Sequence, residues 1–423
     1  MRPSACGSRL EGLSSPPQDR IVVTGVGMVS AAGRGTDAAW ARLRGGQTAL
    51  TPIELFDPAP YGLSVSGEAK SVAREPGLDR AFQLLDIAAD ELMQSSGWGE
   101  EQRGDSTGVV LGTCQGAIEG ASAIHRAFQT RPVPAADDTS RAAFAAYRPG
   151  HGTARLADRI GALGPRSTVG MVCVSSSVAL MHAVDLMRAG EAKRVVAGGF
   201  EAFTQFVVTG FHCIGALASG ALRPFDSERD GTVLGEAAVL LTLEREDDAR
   251  RRGATILAEI AGCGVAADAF HMTAPDPEGG GLERAIRQAF AEAGIGPADV
   301  DFISAHGTGT VFNDGMESKA FSRIFAELVE TGAMPPVTGI KSVFGHTLGA
   351  AGALDAVMAV RAMNERVLAP TVAHREPLEG LESWDFAVDG PKAPASPIDV
   401  VLSTNSAFGG NNSALVLRRV QAP

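Results

Sequence analysis

Residues 164–187 read GPRSTVGMVCVSSSVALMHAVDLM: a strand, a turn bearing a single cysteine, and a helix of small and apolar residues opening Val-Ser-Ser-Ser. At that junction the Cys173 sulfur faces free backbone N–H groups and the positive end of a helix dipole, and both favour the thiolate. The same plan recurs at 337–364, where VTGIKSVFGH precedes GAAGALDAVMAVRAMN and the turn carries His346. A second echo links STGVVLGTCQG (106–116) with VDFISAHGTGT (300–310), whose turn carries His306. The chain therefore reads as a duplicated fold, with a leader over 1–20, a first half over 21–255 bearing the nucleophile, and a second half over 256–423 bearing two histidines.

Outward from these turns, apolar runs alternate with amphipathic segments. IVVTGVGMVSA (21–31) reads as a buried strand entering a glycine turn, and VVAGG, AAVLLTLE, ATILAEIAG and PIDVVLST repeat the strand type. DRAFQLLDIAADELMQSSG (79–97) and GGLERAIRQAFAEAG (280–294) read as helices, the second with a glycine stop. This alternation predicts an α/β architecture with a helix-covered, mostly parallel core.

Composition bounds the function. At 423 residues and 45% hydrophobic, the chain can bury one large core or two fused ones. A formal net charge of −12 argues against a nucleic-acid partner. No apolar run is long enough to span a membrane and no signal-peptide core opens the chain, so the expected location is the cytoplasm. The five cysteines are scattered and never form a CxxC pair, which indicates neither a disulfide framework nor a zinc site. His306 and His346 lack third and fourth ligands at usable spacing, so no metal is expected.

One thiol and two histidines in glycine-rich turns at strand ends suit acyl transfer, with the imidazoles aimed at one carbonyl. Glu317 and Asp314, in FNDGMESKAF, and Lys341 are expected to tune those imidazoles electrostatically.

Six motifs in order, IVVTGVGMVSAAG, GPRSTVGMVCVSSS, LRPFDSERDGTVLGEAAVLL, AHGTGTVFNDGMES, KSVFGHTLGAAG and NSAFGGNNSALVL, resemble those of the Cys-His-His β-ketoacyl-acyl carrier protein synthases. The resemblance spans Ile21 to Arg418. It implies a thiolase-like duplicated α-β-α-β-α layered sandwich, usually dimeric. It also implies decarboxylative condensation of an acyl chain on Cys173 with malonyl-acyl carrier protein, assisted by His306 and His346, with Lys341 holding His306 or its surroundings in the productive charge state. No cofactor is implied beyond the phosphopantetheine arm of the acyl carrier protein, which Thr308 and Thr310 would hydrogen-bond. Backbone N–H groups of Cys173 and Phe408 would form the oxyanion hole, and Phe408 would also gate the thiol.

Departures from the family pattern point to a distinctive acyl chain. Met171-Val172 stands where Thr-Ala is usual, and the loop Asn405–Asn412 is one residue short, with Ala407 in place of a glycine. Gln115 replaces a small or aliphatic residue of the acyl pocket, to which Cys114 and Met171 are also assigned. These features favour a specialised type II polyketide or polyene pathway over housekeeping fatty acid elongation. The partner is expected to be a second copy of the chain or a ketosynthase-like chain-length factor. Arg74, Arg80, Arg126 and Arg131 are candidates for a basic patch that docks the acidic carrier. The alternatives fit less well: a non-catalytic chain-length subunit would lack the nucleophile, a thiolase would need another second-half cysteine, and Gly25-Val-Gly27 lacks the rest of a dinucleotide fingerprint.

Overall fold

A computed structural model describes residues 20–130, 145–388, 390–394 and 396–420. The leader assigned to 1–20 lies outside these residues except for Arg20. Ten strands form the body of the main sheet: Ile21–Ser30 (β1), Thr107–Gly112 (β2), Arg166–Val169 (β3), Arg194–Glu201 (β4), Ala237–Arg245 (β5), Ala258–Ala267 (β6), Phe302–Ser304 (β7), Val337–Thr338 (β8), Val400–Ala407 (β9) and Asn411–Arg418 (β10). Their spatial order is β8-β7-β9-β10-β6-β1-β5-β4-β2-β3, with the short strand Gly33–Arg34 added beside β1.

Counted within each half, both sets of five strands have the order 3-2-4-5-1. The directions repeat as well. In the first half β2 is parallel to β3 and β4, and in the second β7 is parallel to β8 and β9. The remaining pairings are antiparallel. Each echo noted in the sequence thus joins topologically equivalent strands, the second of each half (β2, β7) and the third (β3, β8). A seam of two residue pairs between β1 and β6, Val22 with Glu259 and Val23 with Ala258, sews the halves into one sheet.

The expectation of a mostly parallel core is corrected: the sheet is mixed. Antiparallel neighbours need no crossover helix, and β9 returns directly as β10 through Phe408–Gly410, where Gly409 and Gly410 take φ of +84° and +74°. The expected glycine turn after Ile21 is also corrected. Gly25 and Gly27 lie inside β1, because a side chain at Gly27 would meet the Ala88 carbonyl at 2.0 Å. Close approach of the covering helix, rather than a turn, selects glycine there.

That helix is α1, Arg80–Ser95, capped by Asp79, whose carboxylate accepts the Ala81 N–H. The other helices that frame the site are α2 (Ser175–Arg188), α3 (Gln205–Cys213), α4 (Gly280–Ala293), α5 (Val311–Ile324) and α6 (Ala351–Glu365). Helices α2 and α6 pack against each other between the two half-sheets, α1 covers the outer face of the first, and α4 with α5 cover the second. The layers therefore run α-β-α-β-α, with one apolar cluster centred on α2 and α6 and another under each outer layer. Helix α6 is buried on every side over Ala351–Val360, which explains its alanine-rich sequence. Its Gly352 lies so close to α2 that a methyl group there would meet Ser177 Oγ at 1.9 Å. No helix among the described residues is long and apolar enough to cross a membrane.

Candidate active site

The turns that end β3, β7 and β8 converge between the half-sheets. Cys173 is buried at the mouth of α2. The residue before it, Val172, has φ of +52°, a region that β-branched residues rarely occupy. Ser175 clamps this strained turn: its hydroxyl accepts the Met171 N–H at 2.9 Å and donates to the Val172 carbonyl at 2.6 Å. The second half delivers His346, whose Nε2 stands 3.1 Å from Cys173 Sγ. The His306 ring lies edge-on to His346, with centroids 5.2 Å apart. The three side chains expected to act together thus meet at the base of one cleft of about 230 Å³, whose walls include Thr308, Thr310 and Phe408.

Electrostatics differentiate the groups. The Cys173 thiol is held well below its ordinary range by the neighbouring Cys114 thiol and by His346 and Lys341, against the opposing effect of burial. His306 is also pushed well below its ordinary range, by burial first and then by the Lys341 and His346 charges, so it is neutral. The thiolate at Cys173 makes His346 Nε2 the donor of their contact.

Lys341 does not hydrogen-bond His306. Its ammonium pairs with buried Asp355 of α6 at 3.0 Å. Asn405 Nδ2 bridges Asp355 Oδ2, at 2.6 Å, and His306 Nδ1, at 3.2 Å, while its amide oxygen accepts from Ser177 at 2.7 Å. Glu317 and Asp314, expected to tune the imidazoles, hold the backbone of the turn that carries His306. Glu317 accepts the N–H groups of His306 and Gly307 at 2.9 and 2.8 Å, and Asp314 accepts those of Gly309 and Phe225. Burial pushes Glu317 up to about 7.

Of the residues assigned to the acyl pocket, Cys114 packs in the apolar cluster around Cys173 with Ile53, Phe203, Val207 and Leu348. Cys114, Gln115 and Met171 are not among the walls of the open cleft. The Gln115 N–H is held by Glu201 at 3.1 Å, and its buried amide oxygen has no partner. Ala407 sits in the β9–β10 ladder opposite Asn411, so the substitution for glycine falls in regular strand while the turn keeps two glycines. The Phe408 ring packs against Phe211 of α3.

The expected basic patch is corrected for Arg80 and Arg74. Arg80 is buried in a multidentate pair with Glu236 and Arg74 is bound to Glu119, so neither is a free surface cation. The Arg126 side chain and all of Arg131 lie outside the described residues. Sequence reading gave no role to Asp355, Asn405, Ser177 or Glu201. The detectable signal was a lone acid inside each of two apolar segments, GALDAVMAV and VVAGGFEA. Among the described residues no group of three or more His, Cys, Asp and Glu is placed to hold a metal.

A thiolate beside an imidazole donor, with a second neutral imidazole facing the same cleft, defines an acyl-transferring enzyme of the thiolase-like class. Residues 18–249 match the beta-ketoacyl synthase N-terminal domain and residues 257–375 match the beta-ketoacyl synthase C-terminal domain. The chain belongs to the β-ketoacyl synthase family and is a ketosynthase condensing enzyme. It is 34% identical to nodulation protein E of Rhizobium sp. (strain N33) and 32% identical to 3-oxoacyl-[acyl-carrier-protein] synthase 2 of Coxiella burnetii (strain RSA 493 / Nine Mile phase I). Each match covers 95% of this chain and 99% of the relative. The ishigamide ketosynthase/chain length factor superposes with a TM-score of 0.87 at 31% identity, covering 95% of this chain and 99% of that one. The fold is thereby the duplicated thiolase-like sandwich.

Proposed function

We propose that this ketosynthase is the catalytic subunit of a specialised type II polyketide or polyene system, extending acyl chains that are not plain saturated ones. The observation that supports catalysis is the 3.1 Å contact of His346 Nε2 with Cys173 Sγ beside a neutral His306. A non-catalytic chain-length subunit has no use for such a constellation. The pathway reading rests on Gln115, whose unpartnered buried oxygen suits a polar or conjugated group better than methylenes.

In this reading the Cys173 thiolate attacks the thioester of an acyl carrier protein, and the carrier's thiol leaves. Malonyl carrier protein then enters, with its pantetheine arm between Thr308 and Thr310. Loss of CO2 leaves an enolate whose oxygen accepts from Nε2–H of His306 and of His346. The enolate carbon attacks the acyl-Cys173 carbonyl, whose developing oxyanion is received by the backbone N–H groups of Cys173 and Phe408. Collapse releases the β-ketoacyl carrier protein and restores the Cys173 thiolate. Lys341 acts through its field on His306, and Glu317 and Asp314 hold the turn that presents it.

The two halves, dividing near Thr255, each supply one part of the site, a reading supported by their repeated strand order. The partner subunit is a chain-length factor, as in the ishigamide complex. Among the described residues the cysteines are unpaired, which suits the reducing cytoplasm. A second reading, fatty acid elongation, is favoured by the similarity to 3-oxoacyl-[acyl-carrier-protein] synthase 2.

Intact-mass measurement after incubation with a panel of acyl carrier proteins tests these assignments. An acyl adduct is expected on wild type and absent from Cys173→Ala, and unsaturated or polar chains are expected to load faster than saturated ones. Condensation by Cys173→Ala at the wild-type rate would refute the mechanism. Equal loading of saturated medium chains by wild type and Gln115→Ile would refute the pathway reading in favour of elongation.

A further inference from the structure

Each of the two central helices opens on a strained single turn. Val172–Val174 leads into α2 and Leu348–Ala350 into α6, and the first residue of each turn has positive φ, +52° at Val172 and +49° at Leu348. Because α2 and α6 follow equivalent strands, Gly349 is the second-half counterpart of Cys173. A side chain has no room there. A methyl group at Gly349 would meet Glu201 Oε2 and the Cys114 nitrogen, each at 2.6 Å, so the place that sulfur takes in the first half is filled in the second by a carboxylate from the end of β4.

Glu201 is buried, and its oxygens take N–H groups from both halves of the molecule. Oε2 accepts the Gly349 N–H at 3.1 Å and the Cys114 N–H at 2.7 Å, while Oε1 accepts the Gln115 N–H at 3.1 Å and the Thr113 hydroxyl at 3.3 Å. His346 is itself tied to the first half, donating its N–H to the Val233 carbonyl at 2.7 Å and accepting the Gly235 N–H at 3.0 Å. Leu348, which packs in the apolar cluster around Cys173, lies between these two anchors.

We propose that Glu201 is a positioning residue for the condensation: by holding Gly349 it keeps the turn after His346 in its strained form and so sets the approach of Nε2 to Cys173 Sγ. This rests on the reading of Cys173 as the nucleophile and His346 as its donor. Backbone at positive φ relaxes unless its surroundings over-determine it. In the first half the Ser175 hydroxyl supplies that constraint, clamping the residues on either side of the strained bond. The residue that matches Ser175 at the start of α6 is Ala351, which has no hydroxyl to give. The constraint on Leu348 comes instead from another strand, through the one carboxylate that also fixes the Cys114 turn.

The test is the pH profile of Cys173 carbamidomethylation by iodoacetamide in the full chain, read by peptide mass spectrometry. Glu201→Gln keeps one acceptor oxygen, which the Gly349 and Cys114 N–H groups claim, because the Thr113 hydroxyl can turn to accept from the amide nitrogen. Glu201→Met fills a similar volume with no oxygen acceptor. Both variants remove the carboxylate charge and leave Cys114, His346 and Lys341, the titratable groups that act on Cys173, in place. The difference between the two therefore reports the hold on Gly349 rather than the charge. The Glu201→Met midpoint is expected about one pH unit above that of Glu201→Gln, the size of one charge-assisted hydrogen bond to the thiolate. Gly349→Ala, which keeps the charge but pushes the turn off Glu201, should lie above wild type, and it carries the test if Glu201→Met does not fold. Superimposable Glu201→Gln and Glu201→Met profiles would overturn the proposal, as would a Gly349→Ala profile equal to wild type. A purely structural role would lower the melting temperatures without moving the midpoints. No acyl substrate enters the labelling, so it can fail while the ketosynthase reading stands; absence of an acyl adduct on Cys173 would sink that reading and leave the labelling result untouched.

Discussion

Asn405 Nδ2 stands 3.2 Å from His306 Nδ1, and this contact fixes the tautomer of one of the two imidazoles that face the cleft. The amide cannot be turned over, because its oxygen accepts from Ser177 and its nitrogen donates to Asp355. His306 Nδ1 must therefore be the acceptor, which leaves the proton on Nε2. Asn405→Ala should lower malonyl-carrier decarboxylation about 100-fold, the scale at which small misplacements of reacting groups are felt. Iodoacetamide labelling of Cys173 should be retained. Decarboxylation at the wild-type rate would show that the tautomer is set by something else.

The Lys341–Asp355 pair is buried at both ends. Asp355→Asn would leave the ammonium without its acidic partner, a loss of roughly 3–5 kcal/mol for a buried pair. Urea denaturation should show the Lys341→Met, Asp355→Leu double variant to be more stable than Asp355→Asn alone. If the single variant is as stable as wild type, the pair contributes nothing to folding.

Burial pushes Glu201 up to about 7 from 4.5, despite the N–H groups it accepts. In this window the folded chain binds more protons than the unfolded one, so the contribution of Glu201 to stability falls as pH rises. It is fully present below about 4.5 and reduced by roughly 3 kcal/mol once pH exceeds about 7. Glu201→Gln removes the Glu201 contribution to this slope and leaves that of Glu317. Melting curves of the two proteins from pH 5 to 8 should therefore diverge, with wild type losing stability relative to the variant as pH increases. Parallel curves would refute the shift.

Gly352→Ala would press a methyl group against Ser177 Oγ, at 1.9 Å in the unrelaxed structure. Overpacking of this kind costs about 1–3 kcal/mol. Because Ser177 also anchors Asn405, condensation should fall with stability. Thermal denaturation and turnover measured together check this, and a variant with wild-type melting and rate would show that the two helices can part at no cost.

Cys173 and both histidines were legible because each lies in a glycine- or serine-rich turn after a strand, a pattern local in sequence. Their supporting network was not. Asp355 meets Lys341 across 14 residues, but Asn405 meets His306 across 99 and Glu201 reaches Cys114 across 87, and no local pattern encodes those distances. Arg80 was misread for the same reason: on an amphipathic helix an arginine reads as solvated, and its Glu236 partner lies 156 residues away. Duplication was visible as two echoes in the turns, whereas the antiparallel strands of each half have no reactive turn to mark them, and the sheet was therefore read as mostly parallel.

The two-pair seam between β1 and β6 gives the 3.1 Å contact between Cys173 and His346 a further meaning. The sulfur is carried by one half of the duplication and the imidazole by the other, so their separation gauges how the halves are seated. A shift of about 1 Å along the packed central helices would leave every strand intact and still disable the pair. Reactivity of this one thiol therefore serves as a gauge of alignment for the whole molecule, sensitive to damage far from any residue that touches substrate.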